Sequence, residues 1–159
     1  MDVVALASQT IVDANDPSFE NPTKPIGPFY TEEEAHELER TRGFVMKEDA
    51  VRGGWRRVVA SPKPMGIVEI NAIRHLWDTT IVICSGGGGV PVIQHEDGTM
   101  EGVAAVIDKD FAAELVAENV DADVLMILTE VEKVAINFGT PEEKWLNHLS
   151  LAEAASYAA

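Results

Sequence analysis

Residues 80–94 read TIVICSGGGGVPVIQ, an apolar run, four consecutive glycines and a second apolar run. Thr80 to Cys84 is β-branched and of strand length, and it reads as a buried strand. The loop Ser85-Gly86-Gly87-Gly88-Gly89 follows at its carboxyl end. With no side chains to cover them, its backbone N–H groups form a concavity able to cradle phosphate or carboxylate oxygens. In open α/β sheets ligands bind at that end of the strands. The loop fits neither common nucleotide fingerprint: a Walker loop needs Lys-Ser/Thr after its last glycine, and a dinucleotide loop needs a glycine and a helix where Val90 and Pro91 stand. A flexible spacer is the competing reading, and it does not suit a position between two apolar strands.

On either side of this unit, strand-like and helix-like segments alternate, the pattern of an α/β layered domain. Val3 to Leu6 and Thr10 to Val12 read as extended, and a loop ordered by its prolines is expected from Asp13 to Pro28. Thr31 and Glu34 make a capping box for a helix to about Arg42, closed by Gly43. Phe44 to Glu48 and Trp55 to Ala60 read as strands around the Arg52-Gly53-Gly54 turn, a small hairpin-like unit set apart from the main alternation. A helix from about Glu69 to Trp77 leads into the strand at Thr80. Val90 to Gln94 is a strand before the Asp97-Gly98 turn, Asp110 to Glu118 a helix, and Val124 to Leu128 an apolar strand. Ser150 and Glu153 form a second capping box, so a helix occupies the last nine residues.

The chain has 159 residues, 46% of them hydrophobic, enough for a sizeable core. Its 12 basic and 27 acidic residues give a net charge of −15, which opposes binding to nucleic acid or an anionic membrane face. No apolar run approaches the ~18 residues of a membrane span, and the first residues lack the order of a signal peptide, so the expected location is the cytoplasm. Cys84 is the single cysteine; with no lysine or arginine beside it in sequence to lower its pKa, it reads as an inert buried thiol.

Charge distribution is more informative than net charge. Between Ala50 and Pro64 stand Arg52, Arg56, Arg57 and Lys63 with no acidic residue, a composition suited to phosphate or carboxylate. Adjacent arginines on a strand project to opposite faces, so only one of Arg56 and Arg57 can line a given cleft; a solvated basic edge strand is the alternative. Asp108-Lys109-Asp110 opens a helix. Acids there complement the helix dipole, whereas Lys109 opposes it and makes sense where an anion binds at the same terminus. His36, His75, His95 and His148 show no metal-site spacing, and no metal ligand is expected among them. Trp55, Trp77 and Trp145 read as core or cleft walls.

Several longer segments, DPSFENPTKPIGPFYTEEEA, KEDAVRGGWRRVVASPKP, VEINAI, ICSGGGGVPV, EGVAAVIDKDFAAELVAE, ADVLMILTEV and INFGTPEEK, resemble carbamate kinases in order and spacing. PTKPIGPFY and WRRVVASPKP separate that family from other amino acid kinases such as acetylglutamate kinase. The resemblance is to the central portion of proteins about twice this length, a size usual for one large α/β domain. It implies that the family's first strand with its Gly-Gly-Asn loop, and its Gly-Ser-Met-Gly-Pro-Lys segment, lie outside these residues. The implied fold is part of a three-layer αβα sandwich with a mainly parallel sheet, the amino acid kinase fold, over residues 1–159. A small protruding lid subdomain at residues 24–64 is implied within it, and usually a homodimer.

The implied reaction is reversible phosphoryl transfer between ATP and carbamate, giving ADP and carbamoyl phosphate, often run toward ATP in the arginine deiminase pathway. Such chemistry asks for positioning and charge neutralisation, so ATP or ADP with Mg2+ is the implied nucleotide. By resemblance Lys24 and Lys109 would meet the transferring phosphoryl oxygens and Asp108 would orient the lysines. Gly86, Gly87, Gly88 and Gly89 would hold the carbamate or its phosphate, with Arg57 and Lys63 over that end. Thr129, Val131, Ile136 and Phe138 would border the nucleotide. The sequence departs from the family pattern at Val51 and Gly54 in the lid turn, at Glu132, where aspartate is usual, and at Ala135, where an aromatic is common. A non-catalytic remnant or interaction module that keeps part of the ligand site is the alternative.

Overall fold

The computed structural model describes residues 1–50 and 52–158; the departure at Val51, and Ala159, to which the last helix is expected to run, lie outside them. The strands are β1 (Asp2–Ala5), β2 (Gln9–Val12), β3 (Lys24–Tyr30), β4 (Val45–Glu48), β5 (Trp55–Val59), β6 (Pro64–Ile67), β7 (Thr80–Ile83), β8 (Val90–Gln94), β9 (Met100–Gly102), β10 (Val134–Ile136) and β11 (Lys144–Leu146). The helices are α1 (Glu32–Arg42), α2 (Ile70–Leu76), α3 (Lys109–Asn119) and α4 (Leu151–Ala158). They form two compact units, Met1–Leu125 and Met126–Ala159.

In the first unit two parallel pairs stand in tandem. β1 runs beside β7, with Asp2 opposite Thr80 and Ala5 opposite Ile83. One step further, β2 runs beside β8, with Gln9 opposite Val90 and Ile11 opposite Val92. Antiparallel β6 and β9 extend the second pair to the order β6-β2-β8-β9. Between the pairs lie Ala7-Ser8 on one chain segment and Ser85 to Gly89 on the other, so the glycine loop fills the gap where one pair ends and the next begins. Helix α3 covers this region with residues one turn apart. Ala112 packs with Val12 and Ile107, with Phe19 and Ile93 at the margin, and Val116 packs with Ile67 of β6 and Ile73 of α2.

Glycine is required in the loop for close approach. A Cβ on Gly88, whose φ is +123°, would lie 2.5 Å from the Ile107 carbonyl oxygen, and one on Gly89 would meet the Thr10 hydroxyl. Gly87 has open space around it.

The hairpin-like unit is a three-stranded antiparallel sheet in the order β3-β5-β4. Its helix α1 carries the predicted capping box of Thr31 and Glu34, and Gly43 ends it in the left-handed region. The proline-ordered loop is shorter than the sequence reading has it: Lys24 to Pro28 belong to β3. Prolines in a run argue against a central strand but are accepted at an edge, and β3 is an edge strand, with a register shift between Ile26 and Tyr30.

Two further expectations are corrected. Val124 to Leu128 forms no strand; among the described residues it has no pairing partner, and Val124, Met126 and Leu128 are exposed. β7 is not buried on both faces, since Ile81 and Ile83 are about half exposed. The second unit contains the antiparallel pair β10–β11 and α4, whose N-terminus has the expected Ser150–Glu153 box: the Glu153 carboxylate accepts from Ser150 N–H at 2.8 Å and the Ser150 hydroxyl accepts from Glu153 N–H at 3.3 Å.

Gly88→Ala is expected to destabilise the fold by on the order of 2 kcal/mol, because the new methyl must displace backbone. Gly87→Ala should cost well under half of that. Urea unfolding of the two variants checks this, and equal losses would contradict the packing role given to Gly88.

Candidate active site

Asp108 is the N-cap of α3, as an acid in extended conformation before a helix should be. Its carboxylate accepts from Asp110 N–H at 3.1 Å through Oδ1 and from Lys24 Nζ at 3.3 Å through Oδ2. One side chain therefore joins the first residue of β3 to the first turn of α3, across 84 positions of sequence. The Asp110 N–H, and after it the Lys24 ammonium, hold the Asp108 carboxyl below the usual carboxylate range, while burial opposes them. Lys109 is exposed and its Nζ meets Asp110 Oδ1 at 2.9 Å. That bond raises the lysine pKa, so Lys109 is cationic at neutral pH. An exposed pair of this kind contributes little stability, which leaves Lys109 able to exchange Asp110 for another anion.

The glycine loop reaches the same place through Gly88, which lies against Ile107, the neighbour of Asp108. Ser85 starts the loop at φ +59°, unusual for a residue with a side chain, and its N–H donates to the Ser8 hydroxyl at 2.9 Å. The Thr10 hydroxyl, wholly buried, donates to the Gly88 carbonyl at 2.7 Å. A cavity of about 410 Å³ opens beside the loop, lined by Ser8, Ser85, Gly86, Gly87, Gly89 and Ile107 among others. Burial pushes the Cys84 thiol up, consistent with an inert residue.

The basic stretch divides as strand geometry requires. Arg56 donates to the Gly27 carbonyl at 2.9 Å and lies over the Phe29 ring, whereas the Arg57 guanidinium stacks 3.8 Å from the centre of Phe44. Arg57 faces a small cavity of about 180 Å³ with Phe19, Phe44 and Ala60. Lys63 is exposed, and its backbone N–H donates to Asp16 at 3.1 Å. Neither Arg57 nor Lys63 lines the glycine-loop cavity. In the second unit, Thr129, Val131 and Phe138 line one cavity of about 460 Å³ with Glu132, Lys133, Ala135 and Trp145. Ile136 instead lines the adjoining cavity with Leu149 and Tyr157. Trp145 is a cleft wall, its ring edge-on to Phe138 at 6.0 Å.

Ser8 and Thr10 carry no role in the sequence reading. The one local signal is a threonine inside an apolar strand, since buried polar groups need partners; the partner is 78 residues away.

The model of the amino acid kinase family matches residues 31–159. The chain belongs to the amino acid kinase family. Among its relatives in that family, the carbamate kinase of Clostridium perfringens is 57% identical over 156 residues, covering 98% of this chain and 49% of the relative. That of Pyrococcus horikoshii is 55% identical over 157 residues, with 98% and 49% covered. The chain thus spans about half the length of the curated relatives it matches. A structure of carbamate kinase from Giardia lamblia bound to AMP-PNP superposes with a TM-score of 0.85 at 44% identity, covering 99% of this chain and 50% of that one. A crystal structure from Aeropyrum pernix superposes at 0.88, with 46% identity and 99% and 51% covered. The fold is therefore α/β, that of the amino acid kinase family.

The lowered pKa of Asp108 sets an acid limb of stability. Because the folded group holds its proton less tightly than the unfolded one, its contribution is fully present above about pH 4 and is lost as pH falls through the folded value. Asp108→Asn keeps a capping oxygen and removes that titration. Its urea midpoint should fall less than that of the wild type between pH 6 and pH 3; parallel declines would show that Asp108 is not among the groups responsible.

Proposed function

We propose that the protein acts as a carbamate kinase, transferring a phosphoryl group reversibly between ATP and carbamate to give ADP and carbamoyl phosphate. The observation that carries this reading is the Asp108 carboxylate bound to Lys24 at the very helix start that presents Lys109, beside a glycine loop with uncovered amides. Phosphoryl transfer spreads charge over oxygens that fixed cations and N–H donors stabilise. In this reading Lys24 and Lys109 meet the transferring group, and Asp108 holds Lys24 and the helix terminus in register. Gly86 to Gly89 take the carbamate end. ATP or ADP enters with Mg2+ on its phosphates, and Thr129, Val131 and Phe138 border it, joined by Trp145; Ile136 would support that wall from behind. Residues 24–64 form the lid over the carbamate end, and Arg57 and Lys63 belong to it.

By the same family likeness we infer a homodimer working in the cytoplasm. No helix among the described residues is long and apolar enough to cross a membrane. A second reading, an interaction module without turnover, has one observation in its favour: Val3, Ile81 and Ile83 leave an apolar face of the β1–β7 pair exposed.

ATP formation from ADP and carbamoyl phosphate, followed by luciferase light, tests the two readings. Lys24→Ala and Lys109→Ala should each lower kcat by about 10²- to 10³-fold with the KM for ADP little changed, whereas Trp145→Ala should raise that KM several-fold. Absence of ATP formation by the unaltered protein, with self-association, would replace the first reading by the second. Full activity in Lys24→Ala would remove the catalytic assignment.

A further inference from the structure

The hydrogen-bond donors of the glycine loop can be accounted for one by one. Ser85 N–H goes to the Ser8 hydroxyl at 2.9 Å, Gly86 N–H to the Cys84 carbonyl and Gly88 N–H to the Ser85 carbonyl, both at 2.7 Å. Val90 N–H goes to the Ser8 carbonyl at 2.8 Å. Two donors are left. Among the described residues the N–H groups of Gly87 and Gly89 have no partner, and these two glycines line the 410 Å³ cavity while Gly88 does not.

Thr10 explains why the Gly89 donor stays available. Its buried hydroxyl holds the Gly88 carbonyl. In a trans peptide the C=O and the following N–H point in opposite directions, and no peptide among the described residues is cis. Fixing the carbonyl toward Thr10 thus turns Gly89 N–H away from β2. A peptide between two glycines has little intrinsic preference of its own, so the hydroxyl supplies the orientation. Ser8 does the same at the ends of the loop, accepting from Ser85 through its side chain and from Val90 through its carbonyl.

We propose that Thr10 and Ser8 are positioning residues that leave the backbone amides of Gly87 and Gly89, out of the four glycines, as the donors to a bound oxyanion. The inference deepens the carbamate kinase reading and rests on it for the identity of the substrate. The ligand chemistry is two acceptor oxygens on one centre, which phosphate and carboxylate share. Gly88 has the separate task of close packing on Ile107, and Gly89 lacks a side chain because Thr10 occupies its place.

The test is amide-resolved NMR of glycine-labelled protein titrated with inorganic phosphate in one arm and acetate in the other. Saturable shifts are expected at Gly87 and Gly89 in the wild type and in Thr10→Ser, and the responding arm identifies the oxyanion. Thr10→Val, which keeps the shape without the hydroxyl, should lose the Gly89 response and bind about tenfold more weakly, the effect of one hydrogen bond to a charged ligand. Ser8→Ala, which releases Ser85, should weaken binding similarly and decides the matter if Thr10→Val does not fold. Shifts at Gly86 or Gly88 instead, no saturable shift in the wild type, or wild-type binding by the folded variants would overturn the proposal. Gly87 and Gly89 shifts without ATP formation would leave it standing and remove the kinase reading.

Discussion

The first unit is organised around one close approach, that of the Gly88 backbone to the Ile107 carbonyl. Only a residue without a Cβ allows it, and three things follow. The glycine loop is drawn onto the segment that leads into α3, Asp108 is set at the mouth of the loop, and the β1–β7 and β2–β8 pairs can succeed one another without a long connection. A burial-driven core alone would not specify this. Ile107 is fully buried with Val12 and Ala112, so the contact that shapes the site also seals part of the core, and loss of either would be felt at both.

Where structure is decided by neighbours in sequence, it was legible. The Thr31–Glu34 and Ser150–Glu153 boxes and Gly43 each form a bond within a few residues, and each stands where its pattern predicts. The strand at Thr80 and the glycine loop were read in the right order. Elements that depend on distant partners were read less well. β3 was hidden by its prolines because its strand character comes from β5, and Val124 to Leu128 has strand composition without a pairing partner among the described residues. β9, β10 and β11, at three residues each, are too short for a period to show.

The candidate site divides in the same way. Lys24, Asp108 and Lys109 were singled out by resemblance, and for Lys109 also by its conflict with the helix dipole; no spacing rule could have joined Lys24 to Asp108. The arginine pair was read from strand alternation, and the opposite placement of Arg56 on Phe29 and Arg57 on Phe44 follows that rule. Thr10 was missed because a hydroxyl in an apolar strand signals only that some acceptor exists. Its identity as the Gly88 carbonyl is a property of the parallel crossing, which a linear reading does not contain.

The prolines of β3 have an effect beyond the ladder they interrupt. Pro25 and Pro28 take the N–H away from two of the seven residues of this edge strand, and Gly27 between them turns to φ +69°. A foreign strand arriving along that edge would find an incomplete row of donors on a kinked backbone. The three-stranded sheet can therefore leave this edge unpaired without becoming a template for aggregation.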